Sequence, residues 1–414
     1  MLKSSKIKQQ LQLPEKAQEI YENLYFHIPF CQNKCAYCAF FSITDFDEKL
    51  TKKYINYLIE QIKVVKYYCK PLHSIYIGGG TPTLLNENQL THFLSAIHKY
   101  LPLSKNCEIS IESNPETLNE EKVTIVAKYC NRLSLGVQSF DKKIREIIGR
   151  KCRDKAVENA LKLIKSSSLK SNFNIDLIYG IPSQNLKMWQ IDLENAIKQE
   201  TSHISCYALT IDEGAKLAEE NAIKNNINDD FAVECSKLTR SYLTQNNIIQ
   251  YEISNYAKTN KKCQHNLNIW YGESYLGIGT TASSFNSKKN ERFTQVDNVT
   301  DYLKGHAPEV DIIEEKDRLL EIFIIGLRTT NGWKKHQWEK VIENNQHHKD
   351  ILNWSNLCNY FYNNLSTNNL NIYFSKNYDT NFCEESYDAI ITKDNIRLTT
   401  QGLNFWDEIA VAML

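Results

Sequence analysis

The stretch YFHIPFCQNKCAYCAFF, residues 25–41, places Cys31, Cys35 and Cys38 four and then three residues apart, with no fourth cysteine nearby. The apolar run ahead of them predicts a β-strand, so the three thiols are predicted to lie in the loop that follows it. A structural zinc ion needs four ligands, and the fourth would have to come from outside the loop, with His27 and His265 as the candidates. Thiolates also hold iron–sulfur clusters, and a four-iron cluster on three cysteines leaves one iron open to an outside ligand. The spacing of the three cysteines is thus compatible with both a zinc site and an iron–sulfur cluster.

The composition is that of an ordinary globular protein of 414 residues. Lys plus Arg and Asp plus Glu both number 49, which gives zero formal net charge, and no long basic run predicts a nucleic-acid partner. The N-terminus is polar, and no stretch approaches the roughly 20 apolar residues of a spanning helix, so we expect a cytoplasmic protein. In that reducing compartment, the 12 cysteines are expected to be free, metal-bound or redox-active rather than paired in disulfides.

Apolar residues alternate between strand-like and helix-like spacing in the first half of the chain. The predicted strands cover residues 24–29, 73–80, 107–113, 131–140, 173–182 and 203–210. Predicted helices separate them, at residues 46–68, 86–101, 119–130, 142–165 and 187–199. Strict alternation predicts a parallel sheet with right-handed crossovers, and equal units with short connections favour a barrel. We therefore predict an α/β fold with a partial TIM-like (β/α)6 barrel.

Polar or special residues occur at the carboxyl ends of the predicted strands, where parallel barrels collect their chemistry. In chain order they are Cys31–Cys38, Gly78–Gly80 with Thr81, Glu112, Gln138 and Asp176. Each has a structural interpretation when taken alone. The glycines can form a tight turn, Glu112 can cap a helix, Gln138 can satisfy a backbone group and Asp176 can pair with an arginine. Together they predict a polar ring around the cysteine loop.

The CxxxCxxC loop, with an aromatic residue before its last cysteine, resembles the signature of radical S-adenosylmethionine (SAM) enzymes. The segments YFHIPFC, IYIGGGTPT, ISIESNP, LSLGVQSF, IGRKC and NIDLIYGIP occur in the order seen in the oxygen-independent coproporphyrinogen III oxidase-like family, from about Leu24 to Phe285. The resemblance implies a radical SAM barrel with a [4Fe-4S] cluster, whose open iron is chelated by SAM. In that family an electron from the cluster cleaves the SAM sulfonium and gives a 5'-deoxyadenosyl radical. The cofactors would carry this chemistry, and the protein would bind and orient them.

The same resemblance assigns SAM contacts residue by residue. The positions that match are Tyr25, Tyr37, Gly79, Gly80, Thr81, Glu112, Gln138, Arg150, Asp176 and Ala208. By this match, Tyr25 lies near the sulfonium, Tyr37 next to the adenine, and the glycine segment next to the methionine amino group. Glu112 would accept hydrogen bonds from a cationic or hydroxyl-bearing group. The ribose and carboxylate contacts fall to Gln138, Arg150 and Asp176, and Ala208 is a further adenosine contact.

Two departures separate this chain from the oxidases of the family. Oxidases carry a fourth cysteine where this sequence has Phe40, and they have a longer N-terminal arm. The chain therefore resembles the haem chaperone (HemW-type) branch, whose HNxxYW motif is similar to HNLNIW at residues 265–270. Ile269 replaces the expected tyrosine. His265 is a candidate haem ligand and Cys263 a second one, and a hydrogen-bonded histidine at the barrel edge remains the alternative.

The chain is predicted to divide into an N-terminal segment (1–23), the radical SAM barrel (24–255), an HN-motif segment with loops that close the barrel (256–305) and a C-terminal domain (306–414). In the last domain, a helix over 314–333 and two strands followed by a helix over 389–414 predict a small α+β, winged-helix-like unit. An Asn- and Tyr-rich insertion with little periodicity is predicted at 341–385.

Three functions follow as expectations. The first is a haem chaperone that hands haem to respiratory acceptor proteins. The second is an oxygen-independent coproporphyrinogen III oxidase, so enzymatic activity stays open, and the third is a zinc-stabilised adaptor. The family resemblance also implies haem or porphyrin as ligand, a reductant such as a flavodoxin or ferredoxin, and a homodimer. Acceptor proteins would bring a cytoplasmic chain to the membrane periphery.

Overall fold

The computed structural model describes residues 4–219, 228–286, 290–343, 352–367, 372–374 and 387–413, which form one large and one small sheet. Six parallel strands make up the centre of the large sheet: β1 (Tyr21–Ile28), β2 (Cys69–Gly79), β3 (Leu103–Ser113), β4 (Arg132–Gln138), β5 (Phe173–Tyr179) and β6 (His203–Ala208). After α1 (Ser4–Gln10), the helices that connect these strands are α2 (Glu48–Val65), α3 (Glu87–Tyr100), α4 (Glu120–Tyr129), α5 (Lys142–Ile147), α6 (Asp154–Lys165) and α7 (Leu186–Lys198). The predicted α/β fold of six strand–helix units is confirmed.

The large sheet extends beyond these six strands on both sides. The added strands are β7 (Ile249–Gln250), β8 (Asn255–Ala257), β9 (Tyr275–Ile278), β10 (Ser283–Asn286), β11 (Glu291–Thr294) and β12 (Glu309–Ile312). The order is β12-β11-β10-β9-β1-β2-β3-β4-β5-β6-β8-β7, with β9 parallel to β1 and β8 antiparallel to β6. The edge strands of this sheet, β12 and β7, do not pair with each other, so the sheet does not close on itself. The barrel formed by the described residues is therefore partial, as predicted.

The two faces of the parallel strands differ in polarity. In β1, Leu24, Phe26 and Ile28 are fully buried and face the helices, where the Phe26 ring lies 5.3 Å from the Phe93 ring of α3. Alternate residues of a strand point to opposite faces, so the residues between them line the barrel lumen. The lumenal positions are mostly polar, which distinguishes this barrel from one whose interior is packed with aliphatic side chains.

Side-chain caps fix where the outer helices begin. Asp47 accepts a hydrogen bond from the backbone N–H of Leu50 at 2.7 Å and starts α2. Asn86 and Gln89 form a reciprocal capping box at the start of α3. Such caps typically contribute about 1 kcal/mol each, because they satisfy N–H groups that have no partner within the helix. They set the lengths of the loops that reach the carboxyl ends of the strands.

The remaining elements follow the barrel. They are the helices α8 (Asp229–Gln245), α9 (Gln264–Trp270), α10 (Val299–Lys304), α11 (Glu315–Gly326), α12 (Lys335–Glu343), α13 (Trp354–Thr367) and α14 (Trp406–Met413), and the strands β13 (Trp333–Lys334), β14 (Ile372–Phe374), β15 (Ala389–Ile391) and β16 (Asn395–Leu398). Short 3-10 helices lie at Lys66–Tyr68, Pro82–Leu84, Pro115–Thr117, Ser168–Ser171, Lys216–Glu219 and Gly402–Phe405.

The small sheet has the order β13-β16-β15-β14 and packs with α11–α14 around its own core, which contains Phe323, Trp333 and Trp338. The predicted C-terminal α+β domain is confirmed. Part of the predicted insertion at 341–385 belongs to this core, because α13 buries Leu357, Phe361 and Leu365 completely. The rest of that insertion, at 344–351, 368–371 and 375–385, lies outside the described residues.

Candidate functional site

The cysteine loop follows β1 and is held at the carboxyl end of the barrel, which we call the mouth. The backbone N–H of Cys31 donates to the carbonyl of Ile43 at 3.0 Å, and the N–H of Ala36 donates to the carbonyl of Ile148 at 3.0 Å. All three thiols of the loop are free and half-buried. The loop is thus fixed at several points by its backbone, while its three cysteines remain partly exposed.

The glycine segment after β2 lies directly against this loop. The N–H of Gly80 donates to the carbonyl of Ile28 at 2.9 Å, and the N–H of Thr81 donates to the carbonyl of Phe30 at 2.8 Å. Gly79 has φ +103°, and a Cβ atom there would lie 2.5 Å from the His27 ring. Only glycine fits at this position, so the absence of a side chain brings the backbone of β2 close to the cysteine loop.

Glu112, at the end of β3, is held beside the glycine segment. Its carboxylate accepts a hydrogen bond from the Tyr76 hydroxyl at 2.8 Å and from the Gly79 N–H at 3.2 Å. Burial raises the pKa of Glu112 to about 7, and the Tyr76 hydrogen bond opposes that rise. The side chain does not cap a helix, which was the structural alternative for it. It is instead a carboxylate at the mouth that can gain a proton near neutral pH.

Arg150 lies beside the cysteine loop, and Asp176 lies on β5, two strands from Glu112 on β3. The buried Arg150 donates to Asn114 Oδ1 and to the Gly136 carbonyl, both at 2.7 Å, and its Nη1 lies 3.8 Å from Cys35 Sγ. Asp176 accepts hydrogen bonds from Ser134 at 2.8 Å and from Asn174 at 2.7 Å. No arginine among the described residues forms an ion pair with Asp176, so pairing with an arginine, its structural alternative, is not what the structure has.

The other predicted SAM positions also lie towards the mouth. Gln138 ends β4 with φ +72°, a left-handed conformation that is uncommon for a residue with a side chain. The hydroxyl of Tyr25 lies 3.1 Å from His27 Nδ1, and its ring lies 6.3 Å from the Tyr76 ring. Tyr37 packs against a small apolar cluster of the mouth loops, and Ala208 is the last residue of β6. The strands therefore bring the ten positions to one end of the barrel.

His265 lies away from the mouth, on the side of the lumen that we call the floor. It belongs to α9, hereafter the HN helix, and is only 2% exposed. Its Nδ1 lies 2.8 Å from the Ser74 hydroxyl, its ring stacks on Tyr76 at 5.4 Å, and its N–H donates to Glu108 at 3.1 Å. Burial lowers the pKa of His265 to about 3, so the imidazole is neutral. Cys263 is also buried, and its thiol donates to Glu108 at 3.5 Å.

A buried hydrogen-bond chain connects this floor to Asp176. Asn174 donates to Asp176 through Nδ2, so its Oδ1 must accept the 2.7 Å bond from His203 Nδ1. His203 Nε2 is then an acceptor and receives the Tyr251 hydroxyl at 2.8 Å. The Tyr251 oxygen accepts the Cys263 N–H at 3.2 Å. One ordered chain therefore runs from the start of the HN helix to the mouth.

Sequence reasoning identified Cys263 but missed Asn174, His203 and Tyr251, although the strands carried a signal for the first two of these. Within all six predicted strands, including β4 and β6, every second residue is polar or glycine over much of the strand. A barrel strand that has helices on its outer face and packed apolar side chains on its inner face has a nearly continuous apolar sequence. A period of two in such a strand therefore indicates a hydrophilic lumen, and it would have identified Arg132 and His203 as lumenal.

The three thiols suit an iron–sulfur cluster better than a single zinc ion. In the described ranges, the only three His, Cys, Asp or Glu residues with all ligand atoms within 4.8 Å of one another are Glu22, His73 and Glu273. Thiolates around one zinc ion, with bonds of about 2.3 Å, lie on the order of 4 Å apart. Burial raises the pKa of Cys38 to about 11, so its thiolate needs the positive charge that metal ions supply.

The fold and the cysteine loop define a protein of the radical SAM class, and residues 25–195 match the Radical SAM superfamily. This fold implies a [4Fe-4S] cluster and SAM. The structure is similar to that of coproporphyrinogen III oxidase (HemN) from Escherichia coli, a radical SAM enzyme. The TM-score is 0.76, with 99% of this chain and 92% of that chain covered, and the sequence identity of 18% makes this a likeness of fold.

Relatives in sequence are more specific. The chain is 34% identical over 335 residues to the haem chaperone HemW of Buchnera aphidicola subsp. Schizaphis graminum (strain Sg), covering 79% of this chain and 88% of that protein. It is 33% identical over 313 residues to the haem chaperone HemW of Escherichia coli (strain K12), covering 74% and 82%. The chain therefore belongs to the HemW family. Among the described helices, none has the length and apolar character that crossing a membrane requires.

Proposed function

We propose that the protein is a haem chaperone that binds haem together with a [4Fe-4S] cluster and SAM, and that transfers haem to acceptor proteins. The observation that carries this proposal is the three-cysteine loop, with Phe40 in place of an oxidase-type fourth cysteine, in a chain that aligns with haem chaperones over most of their length. Phe40 is 70% exposed, so it occupies an open position of the loop and does not fill the core.

In this proposal Cys31, Cys35 and Cys38 hold the cluster and the ten mouth positions hold SAM. When bound, the cluster supplies one-electron chemistry to SAM. The chain's own residues bind the cofactors and orient them. The glycine segment permits close backbone approach to the methionine end, and Glu112 accepts hydrogen bonds from its amino group. Arg150, already fixed by Asn114 and Gly136, would bind a carboxylate or ribose oxygen.

Haem binding through His265 would require the HN helix to move, because the side chain is buried and its Nδ1 is engaged with Ser74. A neutral imidazole is the form that ligates iron, and the lowered pKa of His265 favours that form. The partners in this proposal are haem-accepting respiratory proteins and a reductant such as a flavodoxin or ferredoxin. The chain would act in the cytoplasm as a homodimer and reach the membrane periphery through its acceptors.

The test uses anaerobically reconstituted full-length protein. Haem is titrated by absorbance, and 5'-deoxyadenosine is assayed under reducing conditions with and without coproporphyrinogen. The proposal expects stoichiometric haem binding, no deoxyadenosine that depends on coproporphyrinogen, and weaker haem binding by His265→Ala. Decarboxylated product together with substrate-dependent deoxyadenosine would overturn the proposal and assign the chain to the oxidases.

A further inference from the structure

One lumenal arginine has no hydrogen-bond partner in the described part of the chain. Arg132 is the first residue of β4 and lies on the same face as Ser134, whose hydroxyl donates to Asp176 inside the lumen. The residue is only 3% exposed, and its Nε is buried without a partner. No other described residue accepts a hydrogen bond from its guanidinium or forms an ion pair with it within 4.0 Å. The five N–H donors of this guanidinium therefore have no protein acceptor in the described part of the chain.

The neighbouring strand presents a second group without a partner. Ser110 of β3 is the register partner of Arg132, is fully buried, and its hydroxyl makes no hydrogen bond. A buried polar group without a partner costs about 1–3 kcal/mol, and more if it is charged. Two such groups side by side on adjacent strands therefore indicate a place that receives oxygen atoms from another molecule.

The carboxylates around Arg132 do not fill this role. Glu108 accepts hydrogen bonds from the start of the HN helix, Glu112 from a tyrosine hydroxyl and a backbone N–H, and Asp176 from a serine and an asparagine. Each is thus held by neutral protein donors and none forms an ion pair with the guanidinium. An arginine side chain stays protonated in proteins, so the planar N–H groups of Arg132 remain charged and available.

We propose that Arg132, assisted by Ser110, binds the carboxylate of a ligand that enters through the mouth. A guanidinium suits a carboxylate because it can donate two parallel hydrogen bonds to it. Glu112 lies two residues beyond Ser110 in β3, which places the mouth about 7 Å away along the strand. Arg150, which lies at the mouth beside Cys35, is the other arginine that could bind a carboxylate. Arg132 would add a second such position deeper in the lumen.

Two ligands of the proposed function carry carboxylates, so the choice between them rests on that function. SAM carries one amino-acid carboxylate, and haem carries two propionates. Each has a matched analogue without the carboxylate: decarboxylated SAM, and haem dimethyl ester. Comparing the members of each pair isolates the carboxylate contact from every other effect of a substitution.

The experiment measures the affinity of all four ligands for anaerobically reconstituted wild-type protein and for Arg132→Met, which removes the charge but keeps a long side chain. Because a hydrogen bond to a charged group is worth about 1.5–3 kcal/mol, we expect a loss of about tenfold or more for the acid form of one pair. Its carboxylate-free analogue should change less than about twofold. Selective loss for SAM identifies the amino-acid carboxylate, and selective loss for haem identifies a propionate.

Equal losses for both members of each pair, or no loss at all, would overturn the proposal and leave Arg132 a structural residue. If Arg132→Met does not fold, Arg132→Lys and Ser110→Ala are compared in the same way. Both substitutions should weaken binding of the acid form selectively, but by less than the loss expected for Arg132→Met. Wild-type protein that binds neither SAM nor haem would contradict the proposed function; the carboxylate site would then be tested by direct binding of benzoate or acetate, which wild-type protein should bind and Arg132→Met should not.

Discussion

The mouth and the floor of the barrel are built from the same strands, yet they differ in how deeply their polar side chains are buried. At the mouth, the three loop cysteines, Glu112 and Asp176 are half-buried. At the floor, His265 and His203 are at most 2% exposed and both make side-chain hydrogen bonds within the protein. The mouth therefore presents partly exposed groups to a cofactor, whereas a ligand for His265 must first displace contacts of a buried side chain.

The largest effect should come from the mouth. Cys38→Ala removes one of three thiols that would hold the cluster, and we expect almost complete loss of bound iron and acid-labile sulfide after anaerobic reconstitution. The fold should persist, because the thiol lies in a surface loop. Cys69→Ala is the matched control, since Cys69 is a buried thiol at the start of β2 and should keep full iron content. Equal iron in both variants would show that the loop does not bind the cluster.

The next effect concerns close backbone approach at the mouth. Gly79→Ala should weaken SAM binding by tenfold or more, because the new Cβ would meet the His27 ring at 2.5 Å and push the glycine segment away. Gly214→Ala is the control, since Gly214 also has positive φ, at +84°, but has no atom within 4 Å of the added Cβ. Both variants share the strain of about 1–2 kcal/mol for a left-handed alanine. Equal SAM affinities, measured by equilibrium dialysis, would exclude a role for the glycine segment.

The protonation of Glu112 should make SAM binding depend on pH. Its pKa of about 7 means that the carboxylate is largely protonated below neutral pH and ionised above it. Asp176 raises this pKa further, while Arg132, Tyr76 and the Gly79 N–H oppose the rise. Because the ionised form attracts the SAM ammonium group, affinity should increase about tenfold from pH 5.5 to 7.5. Glu112→Gln should flatten this dependence, and an unchanged slope in that variant would assign it to another group.

The parts of this molecule that the sequence predicts well are those with a strong local pattern. The helix and strand periodicities predicted the six strand–helix units, and the cysteine spacing predicted the loop after β1. The positions matched by family resemblance, such as Gln138 and Ala208, lie together at the mouth, although their contact with SAM remains a prediction.

The contacts between floor residues could not be predicted because they join residues far apart in sequence. Ser74 and His265 are 191 positions apart, and Glu108 and Cys263 are 155 positions apart. Neither pair can be recognised from the sequence, because each contact depends on the register of β2 and β3 in the folded barrel. The helix α13 was missed for a different reason, since its Asn-rich exposed side obscured the buried spacing of Leu357, Phe361 and Leu365.

The smallest effect tests whether the floor and the mouth are coupled. Tyr251→Phe leaves His203 Nε2 and the Cys263 N–H without their shared hydroxyl, which should cost about 2 kcal/mol in the free energy of unfolding. Tyr302→Phe is the matched control, because the Tyr302 hydroxyl also joins a backbone N–H and a side chain, but on the outer side of the barrel.

Both variants should lose similar stability, so stability alone does not separate them. Only Tyr251→Phe should speed amide hydrogen exchange over residues 263–270 and lower SAM affinity, by about twofold, because Asn174 and Asp176 lose the order that His203 imposes. If Tyr302→Phe changed SAM affinity equally, the buried chain would contribute to stability without linking the two regions. If Tyr251→Phe alone did so, the HN helix could respond to occupancy of the mouth, and uncovering of His265 would have a physical trigger.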